Sequence, residues 1–256
     1  MRIFQNGFIG QEPNRVSKWS FGDNEVSFEK NRQTMPIDWY YNNVEIIYRY
    51  NSNGHRSKEI SELDLDNYIL CLGCSHTEGV GMEEDKIYPA LLAKKLNCDY
   101  YNMGIGATGM DVVMHNLVVW FKTIPKKPKA VIIQTPTFTR VLTGNHPEHL
   151  KPTGWWSEDE DYGKFVNLGI DLEYFEAKRL LTHSLIKTVV DVPTVYFSIH
   201  NTMLMDSNTI IEKIVDHARD LGHPGIQSHE NFAEAMHNHL INTGCLNFYQ
   251  NTEQKN

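Results

Sequence analysis

Cysteine is scarce in this chain of 256 residues. There are four, Cys71, Cys74, Cys98 and Cys245, too few and too scattered for a disulfide scaffold. Reduced thiols in an intracellular setting are the expectation. Cys71 and Cys74 form a CxxC, but Gly73 ends the apolar run between them and no second pair exists to complete a zinc site. Long apolar runs are missing too: nothing approaches the ~18 consecutive residues that a membrane span needs. The opening MRIFQNGFIGQEPNR lacks the apolar core of a secretory signal, so a cytoplasmic protein is expected. Positive charge is also in short supply. Lys and Arg number 24 against 32 Asp and Glu, and the formal net charge of −8 argues against a nucleic-acid binder, whose affinity rests on neutralising phosphates. The densest basic cluster, Lys122 to Lys129, contains two prolines and reads as a solvated turn.

The content of the chain is that of a globular protein, with 41% hydrophobic and 22% charged residues and length enough for a sizeable core. Residues 1–60 are rich in aromatics and turn formers. Strand-like pieces at Glu25–Phe28 and Val44–Tyr50 suggest a β-rich N-terminal extension packed on a main domain at 61–249. From residue 68 the pattern changes. Short apolar runs at 68–72, 99–102, 130–133 and 194–199 alternate with helical periodicity near 87–96, 110–123, 171–190, 208–220 and 227–242. This alternation predicts a three-layer α/β/α sandwich with a mainly parallel sheet. The stretch 142–170 fits neither period and reads as an insertion, a lid or a surface excursion, carrying the adjacent Trp155 and Trp156. Residues 250–256 form a polar tail.

One short stretch carries chemistry. Leu70-Cys71-Leu72-Gly73-Cys74-Ser75 puts a hydroxyl just past the carboxyl end of the first core strand, where ligands of parallel α/β sheets bind. A serine needs a base to take its proton and a carboxylate to orient that base. Asp220-Leu221-Gly222-His223-Pro224 offers both: the acid and the imidazole lie three apart across a turn-forming glycine, and Pro224 restricts the backbone beside the histidine. His76, adjacent to Ser75, points another way on a turning backbone and is not the expected base. Among the many C-terminal histidines, His237 and His239 are two apart on a helix and cannot easily share a metal. An α/β-hydrolase elbow is excluded as well, because Thr77 stands where Gly-x-Ser-x-Gly needs its second glycine.

Gly73-Cys74-Ser75 with Gly79, and Asp220-Leu221-Gly222-His223-Pro224 followed by His229 and Ala233, resemble the first and last blocks of the SGNH/GDSL hydrolases. Tyr50-Asn51-Ser52-Asn53-Gly54-His55-Arg56 looks like the Asn-Ser-x-Gly-x-Arg segment of many bacterial and phage members. The resemblance covers about residues 48–242. It implies a flavodoxin-like hydrolase fold and a serine esterase of small or carbohydrate O-acyl esters, with Ser75 as nucleophile, His223 as base and Asp220 as orienting acid. It implies no cofactor, and it adds a virion-associated location if the chain is phage-encoded. It also implies an oxyanion held by backbone N–H groups of Ser75 and of Gly106 or Ala107 in the turn Asn102–Gly109. The asparagine that the family carries after its third strand is missing: Gln134, Thr137 or Arg140 would have to substitute, and Cys74 replaces the usual aspartate. Trp155, Trp156 and Arg140 are candidates for shaping substrate choice. Two other readings fit the same residues, an O-acyltransferase using the same triad and a non-catalytic binding module.

Overall fold

The central layer of the computed structural model is a five-stranded sheet. The structure describes residues 2–137, 140–143, 151–153, 172–199 and 205–244. Trp155, Trp156, most of the expected insertion, Cys245 and the polar tail lie outside the described residues.

In chain order the elements are β1 (Arg2–Gln5), β2 (Phe8–Gly10), β3 (Val16–Ser17), α1 (Glu25–Arg32), β4 (Tyr48–Arg49), β5 (Tyr68–Gly73), α2 (Ser75–Glu78), α3 (Tyr88–Leu96), β6 (Asp99–Gly104), α4 (Met110–Thr123), β7 (Ala130–Gln134), β8 (Val141–Thr143), β9 (Lys151–Thr153), α5 (Leu172–Val189), β10 (Thr194–Ser198), β11 (Ile210–Ile211) and α6 (Ile226–Asn242). The sheet order is β11–β10–β7–β5–β6, and every neighbouring pair is parallel. From β5 the chain adds β6 on one side and then crosses to add β7 on the other. This reversal opens a crevice at the carboxyl ends of β5 and β7, the place where open parallel sheets take their ligands.

Strand β5 is buried along its whole length and supplies both cores by its period of two. Tyr68, Leu70 and Leu72 pack with Val113, Leu117 and Trp120 of α4 and with Ile186 of α5. Ile69 and Cys71 pack with Tyr88 and Leu92 of α3 and with Phe232 and Met236 of α6. Helices therefore cover both faces, as the alternating pattern predicts. Burying each such aliphatic side chain contributes about 1.5–3 kcal/mol before entropy is counted.

The N-terminal residues differ from the sequence-based expectation. Glu25–Phe28, expected as a strand, opens helix α1: the Asn24 side chain accepts the Ser27 N–H at 2.9 Å, Glu25 lies in the first turn, and Lys30 and Arg32 lie in the last. Of Val44–Tyr50 only Tyr48–Arg49 pairs as a strand, with Val16–Ser17. The alternation was nonetheless real, since Ile46, Tyr48 and Tyr50 are all buried. With Trp39 and Tyr41 they form a third core that also holds Met82, Ile87 and Ala218.

The helix expected near 208–220 is also absent. Ile210 and Ile211 pair beside β10 as the edge strand β11, and the following residues form an irregular loop held by side chains. The Asp216 carboxylate accepts the N–H groups of Gln227 and Ser228 and so caps α6.

Candidate active site

Ser75 is the first residue of the four-residue helix α2, which starts two residues after β5 ends. The link is tight. A Cβ on Gly73 would lie 2.1 Å from Thr77 Oγ1, so only glycine lets the chain turn back on itself there. Gly79, at φ +78°, closes the turn by donating its N–H to the Ser75 carbonyl at 2.9 Å.

Side chains from elsewhere lock this turn. The fully buried Arg56 guanidinium donates to the carbonyls of Gly79 (2.6 Å), Met82 (2.8 Å) and Glu78 (3.2 Å). It also lies over the Tyr48 ring, 4.4 Å from its centroid. The Asn102 side chain donates to the Thr77 carbonyl at 2.8 Å. Glu78 has no exposed surface, and its carboxylate accepts the Tyr50 hydroxyl and the Gly106 N–H, each at 2.5 Å. Burial raises the Glu78 pKa above its ordinary value, against the opposing pull of those two hydrogen bonds and of the Arg56 charge.

The second half of the site comes from the loop before α6. Ala218 N–H donates to the His223 carbonyl and Leu221 N–H to the Ala218 carbonyl, both at 2.9 Å. The Asp220 carboxylate accepts the backbone N–H groups of Gly222 (3.1 Å) and His223 (3.0 Å) through one oxygen. Its other oxygen pairs with His223 Nδ1. Burial alone would raise the Asp220 pKa, but the bond from the imidazole and the two backbone N–H groups outweigh it and hold the carboxyl below its usual value. The pairing places the ring proton on Nδ1 and leaves Nε2 as an acceptor.

These halves meet at a cavity of about 150 Å³ lined by Phe21, Gly22, Ser75, Gly106, Ala107, Arg140 and His223. Ser75 and His223 thus share one hollow, although no hydrogen bond joins their side chains; the contact that Ser75 Oγ makes is to Cys74 Sγ, at 3.9 Å. Bonds between a nucleophile and its base are often long without substrate and tighten when it binds.

The other candidates among the described residues each have a definite position. Gly106, expected to donate to an oxyanion, lines the cavity, but its N–H is turned to Glu78. Ala107, with φ +65°, has no partner for its N–H among the described residues, and neither has Ser75. Gln134 is buried, and its amide is committed: the carbonyl oxygen accepts from Cys74 N–H and Sγ at 3.0 Å each, and the nitrogen donates to the Thr135 carbonyl at 2.9 Å. It braces the residue before Ser75. Thr137 lies outside the Ser75 cavity, in a neighbouring hollow of about 270 Å³ that also includes His76 and Gly222. Arg140 borders both hollows. The His76 ring meets the His223 ring edge-on at 5.6 Å. Among the described residues no group of three or more His, Cys, Asp or Glu side chains could hold a metal ion.

Three residues that border the site escaped the sequence reading. Phe21 and Gly22 come from the N-terminal residues and lie against His223: a Cβ on Gly22 would sit 3.5 Å from His223 Cε1. Nothing in their local sequence marks them, because only the tertiary fold brings residue 22 to residue 223. Glu78 lies three residues after Ser75, and a carboxylate directly before the closely spaced Gly79 and Gly81 was the available signal.

No family model matches the chain, and no curated protein matches it. Among solved structures the chain is similar to the acetyl xylan esterase Est2A of the rumen bacterium Butyrivibrio proteoclasticus, at 14% identity over 70% of this chain and 64% of that one, with a TM-score of 0.45. It is similar to a carbohydrate esterase family 2 enzyme of Corynascus thermopiles at 14% identity over 69% of this chain and 66% of that one, with a TM-score of 0.44. The psychrotrophic esterase EstA of Pseudoalteromonas sp. is 13% identical over 70% of this chain and 98% of that one, with a TM-score of 0.43. The chain spans less than two thirds of the length of the first two.

Proposed function

We propose that the protein is a serine esterase acting on small acyl esters, carbohydrate O-acyl groups among them, in the manner of the SGNH/GDSL hydrolases that its motifs resemble. The observation that carries the proposal is the shared cavity: a serine at a strand end and a histidine paired to a buried carboxylate line the same small hollow.

In this reading Ser75 Oγ attacks the acyl carbonyl carbon as His223 Nε2 takes its proton. Asp220 keeps the imidazole in the tautomer that can accept and then stabilises the charged ring. The N–H groups of Ser75 and Ala107, which have no other partner among the described residues, hydrogen-bond the developing oxyanion. Collapse of the tetrahedral intermediate breaks the ester C–O bond, and His223 returns the proton to the departing alcohol. A water deprotonated by His223 then releases the acid and restores Ser75. Gly106 acts by shaping the turn rather than by donating to the oxyanion.

The cavity volume argues for a short acyl group. At about 150 Å³ it falls well under the ~300–1,000 Å³ common for ligand pockets, which suits an acetyl better than a fatty chain. A fluorophosphonate probe tests the mechanism. Covalent labelling of the wild type that vanishes in Ser75→Ala and in His223→Ala supports it. No labelling of the folded protein would instead favour a non-catalytic binding module. Turnover of 4-nitrophenyl acetate should exceed that of the octanoate, and the reverse order would refute the acyl-size argument.

A further inference from the structure

Serine esterases gain much of their rate from donors aimed at the oxyanion, and two backbone N–H groups leave room for a third. The residue at the end of β7 is sequentially placed to supply it, but the Gln134 amide is committed at both ends, to Cys74 and to Thr135. Thr137 belongs to the neighbouring hollow. Of the described residues that line the Ser75 cavity, three carry side-chain hydrogen-bond donors: Ser75, His223 and Arg140. The first two are taken by the reaction itself.

We infer that Arg140 is a catalytic residue whose guanidinium supplies the side-chain oxyanion donor, a full positive charge in place of the asparagine that the motif resemblance leads one to expect. The inference rests on the esterase reading above and adds a residue to it. Arg140 Nη1 donates to the Thr108 carbonyl at 3.4 Å, a bond that sets the guanidinium, with its several other donors, beside the Ala107 turn. The backbone at this point is tied down from two sides: Arg140 N–H donates to the Thr137 carbonyl at 3.2 Å, and Lys178 Nζ of α5 donates to the Arg140 carbonyl at 3.2 Å. Its side chain therefore approaches the cavity from a fixed base. A charged donor bonds an anion roughly twice as strongly as a neutral one, and the attraction to the neutral carbonyl of the bound ester is much weaker. The benefit therefore falls on the transition state, which raises kcat rather than lowering KM.

Arg140 also borders the second hollow, so a competing role exists: holding an anionic group on the substrate. Steady-state kinetics with two esters separate the two. The neutral 4-nitrophenyl acetate and the anionic 3-carboxy-4-nitrophenyl acetate are compared for wild type, Arg140→Ala and Arg140→Lys. Circular dichroism melting verifies the fold, and Arg140→Gln serves if the alanine variant melts below the assay temperature. A charged oxyanion donor predicts that kcat falls roughly 10²–10³-fold on both esters in Arg140→Ala with KM little changed. Lysine should restore part of the rate, and added guanidinium should rescue the alanine variant. A loss confined to the anionic ester would overturn the inference and make Arg140 a substrate-anion site. Full activity of Arg140→Ala on the neutral ester would overturn it while leaving the esterase reading intact. Absence of turnover and of fluorophosphonate labelling in the wild type would overturn both.

Discussion

Ala107 holds a left-handed backbone, φ +65°, in which its methyl group crowds the following carbonyl. Glycine would relieve that contact and keep the N–H. Ala107→Gly should therefore raise stability by up to about 1 kcal/mol in urea unfolding, and ester turnover should stay within a few-fold of wild type. A large loss of activity would mean that the methyl group, not the N–H, matters at this position. The contrast with Ser75, His223 and Asp220 shows what a sequence discloses at this scale. Those three stand in two short stretches whose spacing is itself a chemical statement: a hydroxyl after a strand, and an acid three residues before an imidazole. The direction of an N–H is not written that way. From sequence Gly106 is the preferred donor with Ala107 close behind, and the fold turns the Gly106 N–H instead to Glu78, buried beneath the turn. The commitment of Gln134 to Cys74 was hidden for the same reason, since it depends on the register of β5 against β7.

Regular elements were legible wherever apolar periodicity was strong. Helix α4 and strands β5, β7 and β10 fall where the runs predict, because each buries a continuous face in a two-sided core. The loop 212–225 was not legible, since its shape is set by polar contacts to distant residues. The clearest of these is Arg219, which pairs with Asp23 at 2.7 Å with both side chains almost wholly buried. The Tyr48 hydroxyl donates to the same carboxylate at 2.6 Å, and the Arg219 guanidinium lies 4.3 Å from the Trp19 ring centroid. The N-terminal residues thereby grip the residue next to Asp220. Removing one partner of a buried ion pair leaves a charge stranded, at a cost of roughly 3–5 kcal/mol. Asp23→Ala should accordingly lower the urea midpoint by that equivalent. It should also depress kcat for 4-nitrophenyl acetate, because the loop that carries His223 loses its anchor. A variant with wild-type stability and turnover would show that the N-terminal contacts are incidental to the site.

Over the whole molecule, buried titratable groups set opposing responses to pH. His55 and His229 are fully buried, and burial pushes their pKa values down to about 4 and about 3. In the unfolded chain each takes up a proton below about pH 6.5. Between those values the unfolded state binds more protons, so stability falls as the pH is lowered, by up to about 1.4 kcal/mol per pH unit for each histidine. Glu78 acts the other way. Its folded pKa is raised chiefly by burial, so above the unfolded value of about 4.3 the folded state holds the extra proton. Its contribution is therefore largest at low pH and declines as the pH rises through the folded pKa. Two histidines outweigh one carboxyl, and the wild type should gain stability from pH 4.5 to 6.5 in urea titrations. Glu78→Gln removes the opposing group and keeps an acceptor for Tyr50 or Gly106, so its stability should climb more steeply than that of the wild type across the same interval. Parallel curves for the two proteins would show that Glu78 is ionised throughout, its charge held by the Tyr50 hydroxyl and the Gly106 N–H against the cost of burial.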